Sequence, residues 1–207
     1  MSGKKRVAIL ISGRGSNMTA LIEAARNADY PAQIVGVFSN RAAAPGLEYA
    51  RAEGIPTATL AQSKFETRLD FENALTAILE GWRVDYVCLA GFMRILTREF
   101  TTRWLGKAIN IHPSLLPKYK GLDTHARAIA AGDLEHGCSV HFVTPGLDEG
   151  PVIAQARVPI QPGDTPEVLA ARVLVEEHKL YPRALGMLAA GEIALDTGLN
   201  KVRPLDA

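Results

Sequence analysis

The sequence predicts an α/β fold: a Rossmann-like, mononucleotide-binding N-terminal half with parallel strands, running on into a C-terminal half with an antiparallel strand pair and a long late helix. Three observations carry this. From Val7 to Phe92, short apolar β-rich runs alternate with stretches of helical spacing. Such alternation implies right-handed βαβ crossovers and a parallel sheet covered on both faces. The strand runs are apolar almost end to end, as strands buried on both sides are. Farther on, two strand-like runs are joined by a turn too short for a parallel crossover, so they must pair antiparallel.

The elements follow in order. Val7 to Ile11 is the first strand, and Ser16 to Ala28 a helix with Met18, Leu21, Ile22 and Ala25 on one face. Ile34 to Phe38 is the second strand, followed by a short helix from Pro45 to Ala52, closed by Glu53-Gly54. Thr57 to Leu60 is a third strand. Ser63-Lys-Phe-Glu66 fits a capping box and predicts a helix from there to about Gly81. Asp85 to Leu89 and Ala108 to Ile111 are the next strands, and His125 to Ala131 a short helix. Ser139 to Thr144 and Val152 to Ile160 form the antiparallel pair. Asp164-Thr165-Pro166-Glu167 is a helix start, with a capping side chain and a first-turn proline, for a helix to about Ala190 that bends near Pro182.

With 207 residues, 47% of them apolar and 22% charged, the chain suits one globular domain over 1–207, divided into halves 6–106 and 107–207. A formal net charge of +1 gives no sign of nucleic-acid or membrane binding. Cys88 and Cys138 fit neither a disulfide framework nor a C-x-x-C motif. The run after Lys4-Lys-Arg6 is too short for a signal peptide, and no stretch approaches a membrane span, so a cytoplasmic protein is expected.

Three segments carry polar groups suited to chemistry. Ser12-Gly-Arg-Gly-Ser-Asn17 joins the first strand to the first helix, where glycines allow a tight turn and free N–H groups face an anion. It lacks the third glycine of a dinucleotide fingerprint, because Met18 stands there, and it lacks the Gly-Lys-Ser/Thr of a Walker loop. A lone phosphate suits it best, and a plain strand-to-helix turn is the other reading. In Asn110-Ile-His-Pro-Ser114, alternation points Asn110 and His112 to one face at a strand end. Two N–H donors aimed at one point can stabilise an oxyanion, and neutral imidazole can act as a base. A strand-end histidine bonded into a turn explains the same residues. Leu147-Asp-Glu-Gly150 is either an ordinary turn or the source of a carboxylate that orients His112. His112, His125, His136 and His141 show no metal-ligand spacing, so no metal is expected.

These segments, with Phe38-Ser-Asn40, Leu89-Ala-Gly-Phe-Met-Arg-Ile-Leu96, Ile109 to Tyr119 and Gly137 to Val143, occur in an order that resembles the phosphoribosylglycinamide formyltransferases, the folate-dependent formyltransferases of purine synthesis. The likeness runs from Val7 to about Pro182. It implies the formyltransferase fold, 10-formyltetrahydrofolate as co-substrate and glycinamide ribonucleotide as acceptor, without a metal, and it leaves a homodimer open. Carried over by motif, the catalytic residues are Asn110, His112 and Asp148, and the phosphate loop is Gly15, Ser16 and Asn17. Glu177, before His178, takes the glycinamide end. The folate site falls on Arg68, Met93, Arg94, Ile95, Leu96, Asn110 and the stretch from Val143 to Asp148. Two positions depart from the family pattern: Asp123 replaces a frequent histidine, and Pro145 a frequent acidic residue. A methionyl-tRNA formyltransferase would bring an extra C-terminal domain and more basic surface, and a formyltetrahydrofolate hydrolase an N-terminal regulatory domain. A phosphate or folate sensor without turnover would not need the catalytic trio.

Overall fold

In the computed structural model, which describes residues 3–205, alternate residues of the first strand enter two separate cores. Strand β1 (Lys5–Ile11) sends Val7, Ile9 and Ile11 to one side and Ala8 and Leu10 to the other, all with no exposure. The first side packs under α1 (Ser16–Ala25), α2 (Pro45–Ala52) and α6 (Pro166–Ala190). The second packs under α3 (Arg68–Gly81) and α4 (Arg98–Arg103). Each fully buried Leu or Ile contributes roughly 1.5–3 kcal/mol, so both faces of this strand hold it at the centre.

Seven strands form one sheet in the order β3-β2-β1-β4-β5-β6-β7. Strands β2 (Ala32–Ser39), β3 (Thr57–Thr59), β4 (Tyr86–Leu89) and β5 (Ala108–His112) run parallel with β1. Strand β6 (Glu135–Phe142) reverses and pairs antiparallel with both β5 and β7 (Val152–Pro159). The antiparallel region thus has three strands, where the sequence pattern shows only the last two. The chain leaves β1 for β2 on one side and returns to β4 on the other. The crevice beyond those strand ends is where open α/β sheets bind ligands.

Several boundaries differ from expectation. Helix α3 starts after Thr67, not at the Ser63–Glu66 box, whose first two residues lie in a 3-10 turn over Gln62–Lys64. Thr67 and Asp70 form the true box: the Thr67 hydroxyl oxygen accepts the Asp70 N–H at 3.1 Å, and the Asp70 carboxylate accepts the Thr67 N–H at 3.2 Å. Phe65, between the two candidate caps, stays extended and packs edge-on against Phe71. Strand β6 begins at Glu135, four residues before Ser139. Helix α4 and a hairpin of β8 (Ile193–Asp196) with β9 (Lys201–Pro204) were not expected. Helix α5 (Thr124–Ala130) starts one residue early, from a left-handed Asp123.

Helix α6 continues through Pro182, whose carbonyl accepts the Tyr30 hydroxyl at 2.6 Å. One position earlier, the fully buried Tyr181 hydroxyl lies 3.0 Å from the carbonyls of both Leu89 and Ile109. Its single proton is shared between the last residue of β4 and the residue before Asn110. The late helix is thereby fastened beneath the strand ends that carry the site.

Candidate functional site

The loop after β1 enters α1 through Gly15, at φ +73, a left-handed conformation that glycine adopts without strain. No side chain caps this helix, so its first N–H groups stay open to an anion. A cavity of about 300 Å³ lies over them, lined by residues 12–17, Arg41, Ala90, Gly91 and Met93. Ser16 is exposed there. Asn17 is buried, and its side-chain amide donates one N–H to Glu177 at 2.6 Å, while its backbone N–H is one of those at the start of the helix. Its Oδ1 is buried with no partner among the described residues. Burial pushes the Glu177 carboxyl up, opposed by the bond from Asn17. Two residues assigned to opposite ends of one substrate thus meet directly.

At the end of β5, Asn110 and His112 are joined by His141 and Asp148. The β5–β6 register sets Asn110 opposite His141. The His141 Nδ1 lies 2.9 Å from the Phe142 carbonyl, which can only accept, so Nδ1 carries the proton. Nε2 then accepts the Asn110 amide at 3.2 Å, which fixes how that amide is turned and leaves its second N–H for a ligand. Burial pushes the His141 ring below its ordinary pKa, against the Phe142 carbonyl and Asp148, and keeps it neutral.

Asp148 closes the group. Its Oδ2 accepts the Gly121 N–H at 2.9 Å and lies 3.4 Å from His112 Nδ1, while Oδ1 lies 3.7 Å from His141 Nε2. Asp148 has φ +49, and that left-handed turn carries its side chain back toward the sheet. Tyr119 is also left-handed, at φ +55, and its carbonyl accepts from His112 Nε2 at 2.9 Å. Both ring nitrogens of His112 therefore face protein acceptors. Nε2 must be protonated, and a proton on Nδ1 would make the ring a cation facing Asp148.

The expected folate residues divide. Met93 and Ile95 are 65% and 66% exposed on the loop between β4 and α4, with Arg94 and Leu96 between and beside them. Leu122 and Leu147 add exposed apolar surface on the loops beside Asp148. Val143 is buried in the core, and its N–H donates to the Ala108 carbonyl. Arg68 opens α3 and is exposed, with no hydrogen bond to the 93–96 stretch. Asp123 and Pro145 both sit exposed on loops.

Sequence reasoning missed His141, Tyr119 and Gly121 as site residues. The place of His141 opposite Asn110 follows from the antiparallel register of β5 and β6, a pairing the sequence pattern does not show. Behind His112, the rings of His125 and His136 meet edge-on at 5.1 Å, with His125 Nδ1 and His136 Nε2 buried and unpartnered. Among the described residues, no group of three or more His, Cys, Asp or Glu side chains is arranged to hold a metal.

The formyl transferase family model matches residues 5–185. The chain is 47% identical over 189 residues to the phosphoribosylglycinamide formyltransferase of Escherichia coli K12, covering 91% of this chain and 89% of that one. It is also 47% identical over 192 residues, 93% of this chain, to the human trifunctional purine biosynthetic protein adenosine-3, but spans only 19% of that longer protein. The crystal structure of glycinamide ribonucleotide transformylase 1 from Symbiobacterium toebii superposes with a TM-score of 0.95 at 41% identity, covering 100% of this chain and 96% of that one. Over the sheet, the crevice and the residues that line it, the chain belongs to the formyl transferase family.

Proposed function

We propose that the chain transfers the formyl group of 10-formyltetrahydrofolate to the amine of glycinamide ribonucleotide, giving formylglycinamide ribonucleotide and tetrahydrofolate in de novo purine biosynthesis. The observation that carries this is the placement of Asp148 against His112, with Asn110 beside them, at a strand end next to an anion-binding loop. Family membership supplies the reaction class.

The substrate phosphate would sit on the N–H groups of Gly15, Ser16 and Asn17. Glu177 would hold the glycinamide end, kept in place by Asn17. Met93, Arg94, Ile95 and Leu96 would flank the folate ring, with Asn110 and the stretch from Val143 to Asp148 on its other side. The exposed guanidinium of Arg68 suits the carboxylates of the folate tail. Residues 6–106 and 107–207 would act as two halves of one catalytic unit. The cytoplasm is the proposed compartment, where the buried thiols Cys88 and Cys138 stay reduced.

The amine attacks the formyl carbon, and the carbonyl oxygen becomes an oxyanion. The free Asn110 N–H and the His112 Nε2–H would stabilise it. Because Nε2 is bonded to the Tyr119 carbonyl, the formyl oxygen must take that carbonyl's place. Asp148 would hold the His112 ring as a cation and help pass the amine proton to the folate nitrogen, whose bond to carbon then breaks. Positioning of two bound substrates supplies much of the remaining acceleration. Asn110→Ala removes one oxyanion donor, which lowers kcat by roughly 10²–10³ in comparable sites. Steady-state formyl transfer checks this, and a kcat within threefold of wild type would remove Asn110 from the mechanism.

A further inference from the structure

The loop 91–97 carries four of the residues assigned to folate, yet little within it sets its shape. Gly91 has φ +75, and the only internal backbone bond is Arg94 N–H to the Phe92 carbonyl. Phe92 anchors the start of the loop, 8% exposed and edge-on to Phe38. The ends are held by two buried polar side chains from elsewhere. Ser12, 4% exposed, accepts the Met93 N–H at 2.9 Å and donates its own proton to Asn40 Oδ1 at 2.6 Å. Glu72, 3% exposed, takes the Thr97 N–H on both carboxylate oxygens, at 3.0 and 3.2 Å, and also accepts the Thr97 hydroxyl.

We infer that Ser12 and Glu72 are positioning residues for the folate co-substrate, although Ser12 lies in the phosphate loop. This rests on the folate assignment of Met93–Leu96. The Ser12 hydroxyl has one proton, and Asn40 already takes it, so none is left for a phosphate. Its lone pair fixes the backbone of Met93 instead. Asn40 sets the rotamer of Ser12 from the end of β2. At the far end, Glu72 does two things. It satisfies a half-buried N–H, and it places a carboxylate at the start of α4, where negative charge is favoured. The phosphate loop thus has two functions divided by atom: its backbone serves one substrate and the Ser12 side chain serves the other.

The test is a split between substrates. Ser12→Ala should raise KM for 10-formyltetrahydrofolate about 3- to 10-fold, the range for one neutral hydrogen bond. KM for glycinamide ribonucleotide should stay within twofold. Calorimetry should show the same split without turnover, with weaker binding of tetrahydrofolate and unchanged binding of glycinamide ribonucleotide. Asn40→Ala should reproduce part of the effect, and the double variant should fall short of the sum, since the two act in one chain of bonds. Glu72→Gln keeps the shape and one acceptor oxygen, and should give a milder form of the same split. Equal loss for both substrates, loss confined to the ribonucleotide, or no change in Ser12→Ala would overturn the inference. If wild type binds tetrahydrofolate but transfers no formyl group, the proposed function fails, and the calorimetric split still decides this inference.

Discussion

Replacing Asp148 with Asn removes one charge and almost no volume. The residue sits at φ +49, and Asn is among the few side chains that tolerate this region, so the turn should keep its shape. The Asn carbonyl can still accept from Gly121, as Asp148 does at 2.9 Å. What is lost is the charge 3.4 Å from His112 Nδ1, between side chains 6% and 11% exposed. At that distance and an effective dielectric of ~20, a carboxylate and an imidazolium attract by about 5 kcal/mol before desolvation is counted. A net loss of about 3–4 kcal/mol from the transition state, the size of one oxyanion donor, lowers kcat by roughly 10²–10³. The assay is initial-rate formyl transfer with both substrates varied, together with calorimetric binding of each. Asp148→Asn should lose that much turnover while both dissociation constants stay within threefold. Turnover within threefold of wild type would refute the reasoning, since the charge would then be idle in the step it is placed to assist.

Acid should destabilise the fold through the histidines behind His112. Burial, with His125 nearby, pushes His136 down to about 4, and burial with His112 nearby lowers His125. The unfolded chain takes up these protons from about pH 6.5, so their stabilising effect is complete above that pH and is lost as pH falls toward about 4. For His136 alone this amounts to roughly 2–3 kcal/mol. Thermal melting should show Tm falling from pH 7.5 to 4.5, with a flatter profile in His136→Gln, and an unchanged slope in that variant would contradict the assignment. Glu177→Gln keeps an acceptor for Asn17 and removes the charge. It should raise KM for glycinamide ribonucleotide about tenfold or more, as for loss of a charged hydrogen bond, and leave KM for the folate unchanged. A matching rise for both would point to a general disturbance of α6.

Much of the fold was legible because its signals are local. The apolar runs at Val7–Ile11 and Tyr86–Leu89 and the Thr165-Pro166 helix start each announce an element within a few residues. Helix α4 was hidden because six residues span too little for a helical period to show. The start of β6 was hidden because Glu135, His136 and Gly137 are not apolar, although His136 and Gly137 are buried in the sheet. Two adjacent boxes, Ser63–Glu66 and Thr67–Asp70, competed for one helix, and Phe65 packs edge-on against Phe71 in the arrangement that starts it after Thr67. In the site, Asn110 and His112 were visible as one strand face. His141 was not, because its place depends on which strand pairs with β5. Tyr119 and Gly121 contribute backbone groups, which no side-chain pattern reveals. The bond from Asn17 to Glu177 joins residues 160 apart and belongs to the tertiary structure alone.

The central claim is that this site hands the formyl group to an acceptor amine rather than to water. Purified protein mixed with 10-formyltetrahydrofolate tests it directly, with and without glycinamide ribonucleotide, by following tetrahydrofolate. Tetrahydrofolate should form only when the acceptor is present, in equal amount with the formylated ribonucleotide. Formation at a similar rate without the acceptor would make the site a hydrolase, and no formation in either mixture would leave the arrangement of Asn110, His112 and Asp148 without the activity derived from it.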